Sequence, residues 1–420
     1  MKRLTLLAAF LVLVPFTAAA WAEPLPRAQP ADIGLSAERL DRVGRVLRDE
    51  IEKGKFPGAV ALVARKGRIA YYESFGVRDP ATGAPMAKDA IFRIYSMTKP
   101  MTSVAVMMLQ EEGRLVLTDP ISKFLPQLAK LQVAVERKER PRGQSMFDLV
   151  PAAREITIQD LLRHTSGLAY GSRTANARVK ELYAKEGVDA RDLSNAELVD
   201  RLAKVPLAHQ PGAAWEYSRS TDVLGRLVEV IAGVPLGRFF EERIFSPLKM
   251  TDSGFSVPTA KLARVAQPFA KDPATGDKIS LIDVTAPPKY ESGGGGGVSS
   301  TDDYIRFAQM LLNGGRLDGA RLLSRTTVAF MASDHLGRIS DTLKRPGYTF
   351  GLGFAVRKDV GLDGQSGSIG EYGWAGAGGT YFWVDPKEEL IGILMTQAPG
   401  PSRTYYRQLF KELVQQSVVD

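Results

Sequence analysis

Two apolar rhythms alternate along the chain, and their order decides the fold class. Leu40, Val43, Leu47 and Ile51 recur every three or four residues, which places them on one stripe of a helix that Ser36 opens and Gly54 ends. Pro57-Gly58 then leads into the unbroken apolar run 59–64, a turn at Lys66-Gly67 and the run 69–75, which predicts an antiparallel hairpin. The far end mirrors this. Residues 380–384 and 390–396 predict two strands about an Asp385-Pro386 turn, and Ser402 opens a final helix through Leu409, Leu413 and Val414. Between the two ends, residues from about 101 to 345 read mostly as helix and loop. The expectation is an α+β chain, in which one antiparallel sheet built from both termini is flanked by helices and carries an inserted helical lobe. The sheet lobe is placed at about 35–95 and 345–420 and the helical lobe at about 96–344, within one unit covering 23–420.

Residues 1–22 stand apart. Lys2 and Arg3 precede an apolar run that ends at Ala20-Trp21-Ala22, the layout of a secretory signal peptide cut after Ala22. The run is short for a membrane span and no later stretch is long and apolar enough, so the expected product is periplasmic or secreted, without stable membrane insertion. The formal charge of +8 falls to +6 once Lys2 and Arg3 are removed. The basic residues are scattered, and the densest group, Arg137-Lys138-Glu139-Arg140-Pro141-Arg142, is broken by Glu and Pro. That excludes a nucleic-acid partner as the working reading. With no cysteine, disulfides and thiolate metal sites are excluded as well.

Candidate chemistry centres on Ser96-Met97-Thr98-Lys99-Pro100, at the head of an apolar helix that runs to about Glu112. Three residues apart on a helix, Ser96 and Lys99 share a face. A desolvated, neutral amine there is placed to take the proton of a serine that is otherwise a poor nucleophile. The helix start adds free N–H groups for an oxyanion. Ser246-Pro247-Leu248-Lys249 has the same spacing but falls in a Pro-containing loop.

Further along, His164 ends a helix over residues 156–168 that closes with a glycine stop. With only His164, His209 and His335 available and no Gly-x-Ser-x-Gly elbow, a histidine triad and a histidine metal site are both disfavoured, and His164 is expected to bond its loop. No cofactor is expected. The glycine run 293–297 lies directly before Ser300 and Asp303, whose capping-box spacing starts a helix, so it reads as a tight loop near a site rather than a hinge.

These pieces occur in one order: Ser96-Met97-Thr98-Lys99, the segment 161–168, Pro211-Gly212 before Tyr217-Ser218, the glycine run before Val298-Ser299, and Gly373-Trp374-Ala375-Gly376 before a strand. Together they resemble the serine β-lactamase-like superfamily, in particular its class C β-lactamase, D-Ala-D-Ala carboxypeptidase and family VIII carboxylesterase branch, over residues 35–415. The resemblance implies a serine acyl-transfer enzyme with the β-lactamase/transpeptidase-like fold. Ser96 would be the nucleophile, Lys99 its general base and Tyr217 the partner acid/base. The backbone N–H groups of Ser96 and Ala377 would form the oxyanion hole.

Two departures from the family pattern bear on substrate. Trp374-Ala375-Gly376 stands where β-lactamases and carboxypeptidases carry Lys-Thr-Gly, and Tyr217-Ser218-Arg219 stands where they carry Tyr-x-Asn. Both resemble the family VIII esterases, and both remove groups that would hold a carboxylate or an acyl-amide. Trp374, Ala375 and Gly376 are therefore expected to line a site for a small-molecule ester, with Arg219 as a replacement cation. The alternative is peptidoglycan or β-lactam chemistry.

Overall fold

The computed structural model describes residues 25–137 and 147–420. The leader read at residues 1–22 and the basic residues 138–142 lie outside the described residues. Ser36 caps the first helix as its spacing predicts. Its hydroxyl accepts the Arg39 N–H at 3.3 Å, and α1 (Ala37–Glu52) buries Leu40, Val43 and Leu47. The strands β1 (Gly58–Arg65) and β2 (Arg68–Asp79) follow, with the short β3 (Ala84–Pro85).

The chain returns to this sheet only near its end, through β4 (Tyr348–Phe350), β5 (Ala355–Arg357), β6 (Tyr372–Ala375), β7 (Tyr381–Asp385) and β8 (Leu390–Thr396). The spatial order is β4-β5-β6-β7-β8-β1-β2-β3, with antiparallel pairs throughout. β1 pairs with β8, Val60 opposite Met395 and Leu62 opposite Ile393. The first and last hairpins thus meet at the centre of one sheet.

Layers on both faces explain why β1 reads as a continuous apolar run. Ala59, Ala61 and Val63 point with Trp383 into a core closed by α1 and the final helix α5 (Arg403–Gln415). Val60 and Leu62 point into the larger core, shared with α2 (Thr98–Glu111), α3 (Ser220–Ala232) and α4 (Thr301–Leu312). Strand alternation sends successive residues to opposite faces, so positions 59–64 of β1 are apolar on both.

Of the three positions expected to face the core from the final helix, only Val414 is fully buried. Tyr406, Phe410 and Val414 form its buried stripe, whereas Leu409 and Leu413 are partly buried. Aromatic reach selects this phase: the Tyr406 ring lies 4.7 Å from Phe56 and the Phe410 ring 5.5 Å from Trp383.

Candidate active site

Ser96 sits in a 3₁₀ turn, Tyr95–Met97, that delivers the chain into α2. Tyr95, just before it, has φ +45°, a left-handed conformation that an aromatic residue adopts only when its surroundings enforce it. Several bonds do so. The Thr98 hydroxyl donates to the Tyr95 carbonyl at 2.6 Å and accepts the Gly297 N–H at 3.0 Å. Tyr304 of α4 donates to the Met97 carbonyl at 2.9 Å, and the Tyr95 hydroxyl accepts the Ile282 N–H at 3.1 Å. The serine is held on a rigid turn.

Lys99 is fully buried behind that turn. Its Nζ donates to the Gly294 carbonyl at 2.6 Å and to the Tyr170 hydroxyl at 3.0 Å, and it lies 4.5 Å from the Tyr217 ring centroid. Among the described residues no hydrogen bond joins it to Ser96. The neutral amine expected from the sequence is corrected here. Burial opposes the charge, but Tyr170, Tyr217 and Asp222 together outweigh it and raise Lys99 above the ordinary lysine range. Asp222, on the buried face of α3, is itself desolvated, yet Arg219 and Lys99 hold its carboxyl below the usual range.

The glycine run couples these two charges. Gly294 donates its N–H to Asp222 Oδ1 at 3.0 Å while its carbonyl accepts Lys99, and the Ser292 hydroxyl donates to the same oxygen at 2.5 Å. A Cβ at Gly294 would fall 2.7 Å from Asp222 Oδ2. Close backbone approach, not flexibility, is why glycine stands there.

Across from α2, β6 presents Trp374 and Ala375 and continues into Gly376-Ala377. A Cβ at Gly376 would lie 2.2 Å from the Ile94 carbonyl, so this strand end is pressed against the turn that carries Ser96. Trp374 Nε1 donates to the Tyr217 hydroxyl at 3.3 Å, with ring centroids 5.4 Å apart. Ser96, Tyr217 and residues 373–377 line one cavity of about 380 Å³, and Trp215 extends its aromatic wall. His164 lies under the Tyr217 ring at 4.9 Å and bonds Ser218, their nitrogen and oxygen 3.1 Å apart. Burial, then the Lys99 charge, holds it well below the ordinary histidine range. The helix before it is shorter than expected, Ile158–Leu162, because His164 turns the backbone to φ +58°.

A family model described as Beta-lactamase matches residues 43–415. The chain belongs to the beta-lactamase family. It is 33% identical over 392 residues to Esterase EstB of Burkholderia gladioli, covering 88% of this chain and 93% of that protein. It is 30% identical over 376 residues to lovastatin esterase of Penicillium rubens, covering 84% and 91%. The solved structure of EstCE1, described as a hydrolase with promiscuous acyltransferase activity, matches with a TM-score of 0.74 at 28% identity, covering 90% and 98%. The α+β architecture is the β-lactamase/transpeptidase-like fold of that family, and the protein is a serine hydrolase.

In this beta-lactamase-family site Arg219 is not brought to the cavity. Its guanidinium donates to Asp189 at 2.6 Å and to the Tyr290 hydroxyl at 3.3 Å, and it stands 3.6 Å from Asp222. The expected replacement cation is thus committed to these partners, its guanidinium 5.0 Å from the Tyr170 ring centroid. The cavity wall instead carries Arg173, Arg345, Arg403 and Arg407, none of which the sequence singled out. Asp222 left a legible signal, an acid flanked by Val223, Leu224 and Leu227 on an apolar helix. The arginines left none, because basic residues near the start of an amphipathic helix or in a loop look solvated.

Proposed function

We propose that this serine hydrolase is an exported esterase that cleaves small carboxylic esters through an acyl-Ser96 intermediate. The observation that carries the reading is one cavity walled by Ser96, Tyr217, Trp374 and Ala377 with Lys99 buried behind it. EstB and lovastatin esterase, named as esterases, support the substrate class, and the leader pattern of residues 1–22 supports export.

In this reading Lys99 and Tyr217 act as one base, since a raised Lys99 takes no proton by itself. When the pair is one proton short, it accepts the Ser96 proton as Oγ adds to the ester carbonyl. The Ser96 and Ala377 N–H groups receive the oxyanion. The carbon–alkoxide bond then breaks, and the proton passes to the departing alcohol through Tyr217. Water repeats the sequence on the acyl-serine, releasing the acid and restoring Ser96.

The test is turnover of p-nitrophenyl butyrate, nitrocefin and a D-Ala-D-Ala peptide by the mature protein and Ser96→Ala. Ester turnover that Ser96→Ala abolishes is expected, with fluorophosphonate labelling lost in Ser96→Ala and kept in Ser246→Ala. Labelling that follows Ser246 would overturn the assignment, and preferential cleavage of the peptide or nitrocefin would give the site to peptidoglycan or β-lactam chemistry.

A further inference from the structure

Singly exposed apolar side chains are ordinary on a protein surface, but three on one short loop are not. Residues 358–371, which join β5 to β6, carry Val360, Leu362 and Ile369 at 55%, 58% and 60% exposure. None of the three packs into an apolar core of the described residues.

The loop is inside out relative to the rest of the fold, because its polar groups are spent on the protein and its apolar ones are left to water. Asp363 accepts the buried Arg357 at 2.9 and 3.3 Å. The Ser366 N–H and hydroxyl donate to Glu412 of α5 at 2.7 and 2.9 Å, and the Ser368 N–H donates to Asp385 at 3.2 Å. Gly361 and Gly364 turn the tip at φ +80° and +71°. The loop is therefore held by polar bonds, and covering Val360 and Leu362 with something else is the favourable step left over.

The charges beside these side chains set the kind of surface that would cover them. A Cβ added at Gly347 would lie 3.3 Å from the Leu362 Cβ, and the Lys358 and Asp359 N–H groups donate to the Gly347 carbonyl at 2.9 and 3.1 Å. The tip thus adjoins Lys344 and Arg345. Lys344 is exposed, and Lys358 donates its amine to the Ser340 hydroxyl at 2.7 Å; neither makes an ion pair among the described residues. Of the nearby acids, Asp363 is paired with Arg357, and Asp334 accepts Thr349 and the Leu336 N–H. That leaves Asp341 and Asp359 against Arg338, Lys344, Arg345 and Lys358, so the rim is net positive. Glu371 and Tyr372, next along the chain, and Arg345 and Tyr348 all line the Ser96 cavity, so the apolar tip stands at its edge.

We infer that residues 358–371 form an adsorption site for an anionic lipid–water interface, with Val360 and Leu362 entering the acyl boundary and Lys344 and Lys358 meeting headgroup phosphates. Apolar tips beside basic residues, on a glycine-turned loop rather than a broad flat face, suit a fluid surface better than a second folded protein. Adsorption holds the cavity mouth at that surface, so the favoured esters are those that dissolve in lipid rather than in water. The substrate part of this inference rests on the esterase reading of Ser96; the adsorption does not.

Sedimentation with vesicles tests the adsorption without turnover. Wild type and Ser96→Ala are expected to sediment with phosphatidylcholine vesicles that contain phosphatidylglycerol, and less with pure phosphatidylcholine. The double variant Val360→Ser, Leu362→Ser is expected to partition about ten- to hundredfold more weakly than the wild type. A double variant that sediments like the wild type, or binding that ignores phosphatidylglycerol, would overturn the inference. So would self-association of the wild type that the double variant abolishes, with no vesicle binding, which would give the loop to a second copy of the chain. Turnover then tests what is delivered. The double variant is expected to keep the wild-type kcat/KM on dissolved p-nitrophenyl butyrate and to cleave emulsified tributyrin about tenfold more slowly. Equal loss on both substrates, or none on either, would overturn the delivery. If the wild type cleaves neither while Ser96→Ala still sediments, the esterase reading fails and the adsorption site stands.

Discussion

Arg407→Met probes how Ala377, the oxyanion donor of the reaction proposed above, is held. Arg407, in the second turn of α5, donates from its guanidinium to the Gly376 carbonyl and, at 3.3 Å, to the Gly379 carbonyl, so it closes the segment whose next residue is Ala377. Burial and then Arg403 lower its pKa to about 10, and no carboxylate pairs with it among the described residues. Methionine keeps most of the apolar stem but removes both bonds and the charge. The segment retains backbone ties, Gly379 N–H to the Gly376 carbonyl at 3.1 Å and Ala398 N–H to the Gly378 carbonyl at 2.7 Å, so it shifts rather than unfolds. Outright loss of an oxyanion donor costs about 10²–10³ in kcat, and a displaced donor should cost roughly ten- to hundredfold of that kind. The assay is kcat and KM on p-nitrophenyl butyrate, with KM little changed. Arg407→Lys should restore little, because a point charge does not span two carbonyls as a planar guanidinium does. A wild-type kcat in Arg407→Met, with only the melting temperature lowered, would show that the backbone bonds alone hold Ala377 and refute the reasoning.

Two further outcomes test the charges beneath the site. Asp160 is buried and accepts Arg154 at 2.5 and 3.1 Å and Arg163 at 3.1 Å; burial opposes its charge, but Arg154 and the Thr157 N–H outweigh it and depress its pKa to about 2. A depressed carboxyl gives stability that is present above its unfolded pKa and lost as pH falls through the folded one. Asp160→Asn should therefore lower the neutral melting temperature by an amount worth about 2 kcal/mol and flatten its fall between about pH 4 and 2; an unchanged acid limb in a melting series would count against it. Asp222→Asn removes one of the groups that raise Lys99 while still offering Gly294 N–H an acceptor, so the rise of kcat/KM with pH should move to lower pH, and a limb that stays in place would deny Asp222 its influence on Lys99.

The fold was legible where burial imposes a period. Leu40, Val43 and Leu47 announce α1, and the uninterrupted run of β1 announces a strand covered on both faces. The phase of α5 was not, because Leu409 and Leu413 fit a helical stripe as well as Tyr406 and Phe410 do; only the rings of Phe56 and Trp383 choose between them. At the site, Ser96, Lys99 and Tyr217 were visible through spacing and order along the chain. The charge state of Lys99 was not, since it depends on Tyr170 and Asp222, which reach it from two separate segments. The position of Arg219 depends likewise on Asp189, thirty residues upstream.

These misses share a cause that bears on how substrate preference is read in this chain. Behind Ser96 the charges alternate and are compensated: Lys99, Asp222, Arg219 and Asp189 succeed one another from the buried amine toward the surface. In front of it the cavity is lined by Arg173, Arg345, Arg403 and Arg407, with Glu371 on the same wall and Asp272 acting on Arg403. The three residues Trp374-Ala375-Gly376 belong to neither system, because the indole spends its N–H on Tyr217 and the glycine serves the contact with Ile94. A neutral motif on the strand therefore does not make a neutral site. Electrostatic complementarity is set by every charge that faces the ligand in a low-dielectric cleft, whatever segment supplies it, and here the cavity's arginines come from the start of α5 and from loops.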